Sequence, residues 1–246
     1  MNEIKNKRWI VNLHPFKHIV VQNLFEDDIY ERLRAEFSKR MMNTESKRTI
    51  ARNYDATILP FTGADKANFA PLLDPEWLRL ISNAMQLDTR LEVDGALHSH
   101  PPGSRSGWIH NDYNPGWFAR AAERDEIYLS STDGCDYKSG KVTTGNATPV
   151  ERMRYLTLLY YVNNPRWVEG MGGETGIYMS QRRSIDSADR FVAPLNNSLL
   201  LFECTPHSWH SFRTGSFARN SITLWLHREF DQAKRQWPHH EPVYWS

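Results

Sequence analysis

The sequence contains very little cysteine. Only Cys135 and Cys204 occur in 246 residues, and they are widely separated along the chain. Two cysteines do not build a disulfide framework, and no Cys-x-x-Cys spacing typical of zinc sites is present. We therefore expect neither a disulfide-stapled fold nor a cysteine-ligated metal.

The chain also lacks an excess of charge and any long apolar run. Its formal net charge is +1, which gives no electrostatic reason to expect nucleic acid or an anionic membrane as the main partner. The opening MNEIKNKRWIVNLH lacks the apolar core of a signal peptide, and no stretch approaches membrane-spanning length. These absences predict a cytoplasmic protein without a nucleic-acid or membrane partner.

No internal repeat or low-complexity linker divides the chain, which favours one domain over residues 1–246. The part before residue 90 is expected to form a mainly helical support. One apolar stripe, at steps of four behind an acidic first turn, is formed by Ile29, Leu33, Phe37 and Met41. Both helices of this support should pack on the outside of the core.

The second helix of this region has a clear start. In DPEWLRLISNAMQ, Asp74 is placed as the N-cap and Pro75 as the first helical residue. One apolar face follows, formed by Trp77, Leu80, Ile81, Ala84 and Met85.

After residue 90 the pattern changes to short runs rich in β-branched and aromatic residues. RLEVDGALHSH, RYLTLLYYVN, NSLLLFEC and SITLWLHREF are separated by turn signals such as PPG, NNP and GMGGE. This pattern predicts a mainly β fold with flanking helices (α+β), with a β-sandwich or jelly-roll core over about residues 91–230.

Residues 114 to about 150 fit neither a strand nor a helix pattern. They are polar and contain the loop-like STDGCDYKSGKVTTGNATP. A long irregular insertion in a compact domain is usually functional or disordered, so we expect a lid over the site. Side chains that could meet a polar, partly aromatic or anionic small molecule are Trp117, Phe118, Arg120, Arg124 and Tyr128.

The stretch WIHNDYN, residues 108–114, places His110 and Asp112 two positions apart. On a strand, residues i and i+2 point to the same face, so an imidazole and a carboxylate would lie side by side. The pair supplies half of a metal site and needs another nitrogen. Candidates are His207 and His210, which follow the apolar run LLLFEC.

The chain resembles the Fe(II)- and 2-oxoglutarate-dependent dioxygenases, in the branch that includes the prolyl 4-hydroxylases. The ordered pieces of the family pattern occur here as His110-Asn-Asp112, RYLTLLYYVNN, Gly172-Gly173-Glu174, His210, and Arg219 with Trp225. They cover roughly residues 93 to 228. The resemblance implies a double-stranded β-helix, a cupin-like jelly roll, with the N-terminal helices packed on one sheet.

The resemblance also implies the cofactors. Two histidines and Asp112 would hold Fe(II) and leave positions for 2-oxoglutarate and O2. Ascorbate is expected to help as a reductant. The reaction would release succinate and CO2 and usually hydroxylate a substrate C–H bond.

The spacing within the family favours His210 as the distal ligand. The family runs nine or ten positions from this histidine to its basic residue, and His210 precedes Arg219 by nine whereas His207 precedes it by twelve. The resemblance leaves His207 as a pocket-rim residue.

The remaining cosubstrate contacts are implied by position in the family pattern. Arg219 would hold the far carboxylate of 2-oxoglutarate, because a guanidinium can grip both oxygens. Thr157 and His100 would reach the same molecule, with His100 standing where the family often has a tyrosine. Trp225 would wall the pocket.

Asp112 favours oxygenation, since halogenases of this superfamily have a small residue at that position. Desaturation, epoxidation and ring formation use the same ligands and stay open. A small metabolite or amino-acid-derived substrate is favoured. A protein side chain of the prolyl type stays open as the substrate. Two other functions also stay open: a non-redox metal-binding cupin or zinc hydrolase, and an inactive interaction module. The protein could also form a homo-oligomer.

Overall fold

The computed structural model describes residues 3–42, 48–49, 55–131 and 134–244. The α-helices are α1 (Asp27–Met42), α2 (Asp65–Asn68), α3 (Pro75–Ala84) and α4 (Phe230–Gln236), with 3₁₀ turns at Ala70–Leu72 and Ile185–Ser187. The strands are β1 (Val11–Asn12), β2 (His18–Val21), β3 (Arg48–Thr49), β4 (Thr57–Pro60), β5 (Arg90–His100), β6 (Pro115–Phe118), β7 (Tyr128–Leu129), β8 (Val150–Tyr161), β9 (Thr175–Tyr178), β10 (Arg190–Val192), β11 (Ser198–Glu203), β12 (Trp209–Phe212) and β13 (Arg219–Glu229). No helix in these ranges is both long and apolar enough to cross a bilayer.

Two sheets form the jelly-roll core. The large sheet runs β1-β2-β11-β8-β13-β5-β4-β3, with β6 added beside β8 and β7 beside β5. The small sheet runs β10-β9-β12. The predicted class, mainly β with flanking helices, is confirmed.

The two faces of the central strands in the large sheet have different surroundings. On β13, Ile222, Leu224 and Leu226 are fully buried in the main apolar cluster. Ser221, Thr223 and Trp225 alternate with them and therefore point to the opposite face. That opposite face lines a cavity, so the strand period separates the core from the site.

The N-terminal helices cover the apolar face of the large sheet. Ile29, Leu33 and Phe37 of α1 are buried in the same cluster as the core strands, as the sequence pattern predicts. The side chain of Asp74 accepts a 2.9 Å hydrogen bond from the Trp77 backbone and caps α3, which begins at Pro75 as predicted.

The first 90 residues are more than a helical support. β2 pairs with β11 at one side of the large sheet, and β4 pairs with β5 at the other. Both strands are short, so their alternation was too brief to separate from loop sequence.

The expectation that residues 114–150 are irregular is wrong at two places. β6 pairs antiparallel with β8, and β7 pairs in parallel with β5. Phe118 and Tyr128 are buried in these strands because their aromatic rings pack on each other and on the sheet. Residues 132 and 133 lie outside the described residues. A shorter segment, residues 134–143 with Ser130 and Ser131, carries the cavity-lining side chains and is called the cavity loop below.

Candidate functional site

A single antiparallel bridge between the chain before β6 and β12 brings two histidines together. The His110 backbone N–H donates to the His210 carbonyl at 3.0 Å, and the His210 N–H returns a bond of 2.7 Å. Directly opposed residues place their side chains close, and the two imidazole centroids lie 4.3 Å apart. The distant histidine favoured by the sequence is thus the one that meets His110.

Asp112 reaches the same point by a turn, so the expected i, i+2 strand geometry is wrong here. Asp112 has a φ of 56°, in the left-handed region. The side-chain oxygen of Asn111 accepts from the Tyr113 backbone at 3.1 Å, and its amide donates to the Pro206 carbonyl at 3.0 Å. This Asx-type turn sets the carboxylate between the two imidazoles.

The donor atoms of the three residues face one another. The Nε2 atom of His110 lies 3.7 Å from Asp112 Oδ1, and that of His210 lies 3.6 Å from Oδ2. All three ligand atoms lie within 4.8 Å of one another. Two imidazoles and one carboxylate form the facial donor set found in non-haem Fe(II) oxygenases, so these residues fit Fe(II).

Backbone carbonyls hold both imidazoles in the orientation that metal binding needs. Nδ1 of His110 lies 2.9 Å from the Trp108 carbonyl, and Nδ1 of His210 lies 3.0 Å from the Ser208 carbonyl. Each Nδ1 therefore carries the proton, and each Nε2 carries the lone pair that faces Asp112. Burial lowers the pKa of His210 to about 4, so its imidazole is neutral at neutral pH.

The carboxylate of Asp112 receives several hydrogen bonds. Trp225 Nε1 donates to Oδ2 at 2.7 Å and the Thr157 hydroxyl at 3.2 Å, while Arg154 donates to Oδ1 at 3.4 Å. Burial alone would raise the pKa of Asp112, but His210 in its protonated form, the Arg154 charge and the Trp225 hydrogen bond outweigh burial and lower this pKa. Trp225 lies in the cavity wall, where the sequence predicted it, and Thr157 contacts Asp112, a partner that the sequence did not indicate.

Arg154 is the site residue that sequence reasoning missed. Its guanidinium lies 3.9 Å above the Trp225 ring and donates to the Tyr137 hydroxyl at 3.0 Å and to Asp94 at 3.4 Å. The sequence did contain a clue to Arg154, because this arginine begins the RYLTLLYYVNN piece of the family pattern. The sequence did not show that the Arg154 side chain on β8 points into the cavity.

Arg219 lies further along the cavity, buried at 3% exposure. It donates to the hydroxyls of Ser221 at 3.1 Å and Thr175 at 2.9 Å, and its Nε has no partner. Within the described part of the chain no carboxylate pairs with it. A buried guanidinium without a counter-charge is costly, and an anionic ligand would offset that cost. The arrangement therefore fits the far carboxylate of 2-oxoglutarate.

His100 closes the cavity near Arg219. The two residues oppose each other on β5 and β13, and the His100 ring stacks on Phe212 with centroids 3.8 Å apart. Burial and the Arg219 charge lower the pKa of His100, so the ring is neutral. The cavity has a volume of about 670 Å³ and holds the Asp112 site and Arg219 in one space.

Six residues predicted for the pocket do not line the cavity: Trp117, Phe118, Arg120, Arg124, Tyr128 and His207. Trp117 packs over Gly140, and Arg120 pairs with Glu126 at 2.8 Å on the surface. Tyr128 is buried in β7 beneath Arg120. His207 contacts Trp237 and His240 outside the cavity. The strands β6 and β7 inside the supposed irregular segment explain Trp117, Phe118 and Tyr128, because a paired strand fixes which side chains face away.

The comparison with protein families identifies the class. Residues 109–227 match the 2OG-Fe(II) oxygenase superfamily. The match spans the three possible metal ligands and Arg219, so this part of the chain is a 2OG-Fe(II) oxygenase domain, and the protein is a dioxygenase. Fe(II), 2-oxoglutarate and O2 are its cofactor and cosubstrates. No curated protein matches the sequence closely enough to be compared with it.

Three solved structures with the same fold are prolyl hydroxylases. A prolyl-4-hydroxylase from Pseudomonas putida is 17% identical with a TM-score of 0.57, covering 86% of this chain and 92% of that one. A Trichoplax adhaerens prolyl hydroxylase, bound to a hypoxia inducible factor peptide fragment, is 15% identical with a TM-score of 0.55, covering 91% and 87%. A viral collagen prolyl hydroxylase from Paramecium Bursaria Chlorella virus-1, in a 2OG complex, is 14% identical with a TM-score of 0.52, covering 85% and 94%. At these identities the likeness shows a shared fold.

Proposed function

We propose that the protein hydroxylates a C–H bond of a small molecule, with His110, Asp112 and His210 as the iron ligands and Arg219 as the 2-oxoglutarate anchor. The observation that carries this proposal is the buried Arg219 guanidinium, which has no acidic partner in the described residues and shares one cavity with the three ligand atoms. A metal site without redox chemistry would give no reason to bury that cation.

The overall reaction balances without a further reductant. A substrate R–H, O2 and 2-oxoglutarate give R–OH, succinate and CO2, with one oxygen atom entering each of the first two products. Iron and 2-oxoglutarate, when bound, supply the oxidative decarboxylation that activates O2.

The chain's own residues supply binding, orientation and shielding. The Trp108 and Ser208 carbonyls keep Nε2 of the two histidines directed at the ion, and Trp225 keeps the Asp112 carboxylate fixed. Arg219 would form a two-pronged ion pair with the far carboxylate of 2-oxoglutarate. The stacked rings of His100 and Phe212 exclude water around that pair, which strengthens it.

A second candidate is hydroxylation of a prolyl residue in a protein. The fold likeness to prolyl hydroxylases, one of them solved with a peptide fragment, favours it. The small-molecule proposal is supported by the cavity loop, which brings Tyr137, Lys138 and Thr143 into the cavity wall. A peptide needs room for its chain on both sides of the reacting residue, and a loop in the wall restricts that room.

Anaerobic titration of the Fe(II) protein with 2-oxoglutarate tests the proposed chemistry. We expect a visible charge-transfer band that saturates, and succinate formation when air and ascorbate are added. His210→Ala should abolish both signals, and His207→Ala should retain both. An iron-bound wild-type protein without the band at any 2-oxoglutarate concentration would refute the proposal.

A further inference from the structure

The cavity extends well past the space that 2-oxoglutarate needs. Arg219 and Trp225 both face it and are six residues apart on β13, which corresponds to roughly 20 Å along an extended strand. 2-oxoglutarate held between Arg219 and the Asp112 site would occupy this stretch, because Trp225 contacts Asp112. Asp94 lies opposite Trp225 on β5 and marks the far end of the cavity. That far end, called the Asp94 end, is the space open to substrate.

Asp94 has acceptor capacity to spare. It accepts a 2.7 Å hydrogen bond from the Ser130 hydroxyl and a long one of 3.4 Å from Arg154. A carboxylate offers about four lone-pair sites, so these contacts leave room for more donors. The side chain keeps 18% exposure and lines the cavity. Burial raises the pKa of Asp94, because its neighbours compensate the charge only in part.

Arg154 leaves part of the hydrogen-bonding capacity of Asp94 unused, because its guanidinium also donates to other residues. Its NH1 donates to Asp112 and its Nε to the Tyr137 hydroxyl, while its plane is held over Trp225. The guanidinium is therefore fixed between two carboxylates. A ligand ammonium is the group that would complete the hydrogen bonding of Asp94.

Lys138 places the opposite charge at the mouth of the same space. It is exposed, belongs to the cavity loop and lines the cavity. No ion pair joins it to a carboxylate in the ranges that the structure describes; the neighbouring Asp136 instead accepts from Ser139 at 2.6 and 2.9 Å. A carboxylate entering with the substrate would meet this ammonium.

An unpartnered polar atom on β13, between Arg219 and Trp225, also points to a ligand. The Thr223 hydroxyl is buried and lines the cavity, and it has no hydrogen-bond partner among the described residues. Buried polar atoms are normally satisfied, so a bound molecule with its own polar group is the simplest partner. The residue opposite Thr223 on β5 is Ala96, whose small side chain leaves space beside the hydroxyl.

We infer that the substrate is a small zwitterion of the amino-acid type, with its ammonium group on Asp94 and its carboxylate on Lys138; this rests on the function proposed above. A cation alone would be repelled by Lys138, and an anion alone by Asp94. An internal peptide residue carries neither terminal charge. Because one guanidinium bridges Asp94 and Asp112, the oxidised carbon lies a few bonds from the amino nitrogen.

The test uses succinate formation by the Fe(II) protein with a defined panel of probes. The panel contains the proteinogenic amino acids, the N-acetyl and C-amide form of each, and a proline-containing peptide. At least one free amino acid should stimulate succinate formation and gain one oxygen atom. The N-acetyl form should have a kcat/KM lower by about tenfold or more, because Asp94 is largely buried. The C-amide form should lose about two- to fivefold, because Lys138 is exposed.

Two variants separate the two charge contacts. In Lys138→Met the penalty for the C-amide form should vanish while the N-acetyl penalty remains, and Asp94→Asn should show the reverse. Lys141→Met is the matched control, because Lys141 is exposed on the same loop but does not line the cavity. It should keep both penalties.

The outcomes also separate this inference from the proposed function. Stimulation by the peptide or the blocked forms as strong as by any free amino acid would overturn the zwitterion inference. Failure of every free amino acid, or identical penalties in Lys138→Met and Lys141→Met, would overturn it as well. In each case the charge-transfer band with 2-oxoglutarate would remain. Loss of that band in the wild-type protein would instead refute the proposed function.

Discussion

The indole Nε1 of Trp225 donates a 2.7 Å hydrogen bond to Oδ2 of Asp112, the oxygen that also faces His210. The central strand of the large sheet thereby fixes the carboxylate that lies on a turn. An aromatic residue that the sequence indicated only as a cavity wall is also a partner of a proposed metal ligand.

Replacing Trp225 by Phe should weaken metal binding. The ring would still fill the wall, but Asp112 would lose its shortest hydrogen bond. Losing such a partner typically lowers metal affinity by about 10–100-fold. Competitive titration with Fe(II) or Co(II) measures the change. Trp237→Phe is the control, because the Trp237 Nε1 has no hydrogen-bond partner among the described residues. Equal metal affinity in the two variants would exclude a positioning role for Trp225.

Replacing Arg219 by Ala should remove 2-oxoglutarate affinity and leave iron affinity nearly unchanged. A buried carboxylate left without its partner costs roughly 3–5 kcal/mol, or about two to three and a half decades in Kd. Arg219→Lys should be intermediate, because an ammonium keeps the charge but lacks the fork geometry.

The Arg219 prediction is measured by the charge-transfer titration, with Arg213→Ala as control. Arg213 pairs with Asp186 at 3.1 Å and does not line the cavity. Wild-type 2-oxoglutarate affinity in Arg219→Ala would remove that residue from the site.

Replacing His210 by Ala should abolish iron-dependent succinate formation without unfolding the protein. The strands that carry the site are held by the apolar cluster on the opposite face of the sheet. His207→Ala should keep activity, because His207 contacts Trp237 and His240 outside the cavity. Circular dichroism checks the fold of both variants. Retained turnover in His210→Ala would show that the ligand choice is wrong.

Replacing Tyr137 by Phe should loosen the cavity loop. The hydroxyl accepts from Arg154 at 3.0 Å and meets His227 Nε2 at 2.8 Å, so its loss leaves two buried groups without a partner. Such a loss costs about 1–3 kcal/mol of stability. We also expect less hydroxylated product per succinate, because the loop would no longer close the Asp94 end firmly.

Denaturant unfolding and the ratio of product to succinate measure the two effects of Tyr137→Phe. Tyr244→Phe is the control, because that exposed hydroxyl donates to Glu151 and to no other described residue. This substitution should change stability by less than about 0.5 kcal/mol. Tyr137→Phe with unchanged stability and an unchanged ratio would return the loop to a passive covering.

The sequence could predict the parts of the site whose residues lie at a characteristic spacing along the chain. His210 lies in β12 and Arg219 begins β13, and one short connection joins these strands, so the spacing of the two residues carries over with the fold. The apolar stripe of α1 was equally readable, because helical periodicity is a local property.

The rest depended on contacts between distant strands. Arg154 reaches Asp94 and Asp112 from positions 60 and 42 residues away, and no local pattern encodes that meeting. The prediction that Tyr128 lines the pocket is wrong because β7 pairs in parallel with β5. A strand of two residues is too short for its pairing to be predicted from sequence. Asp112 was expected on a strand because alternation is the simplest way to align two side chains.

The left-handed backbone of Asp112 also bears on how this site could change during evolution. At a φ of 56° a residue with a side chain is strained by about 1 kcal/mol, whereas glycine is not. The backbone conformation therefore does not favour aspartate here. A change to glycine would remove a proposed ligand and relax the backbone, but it would also leave the donors of Trp225 and Arg154 without this acceptor. The barrier to a differently coordinated site at this position therefore lies in these hydrogen bonds and not in the backbone.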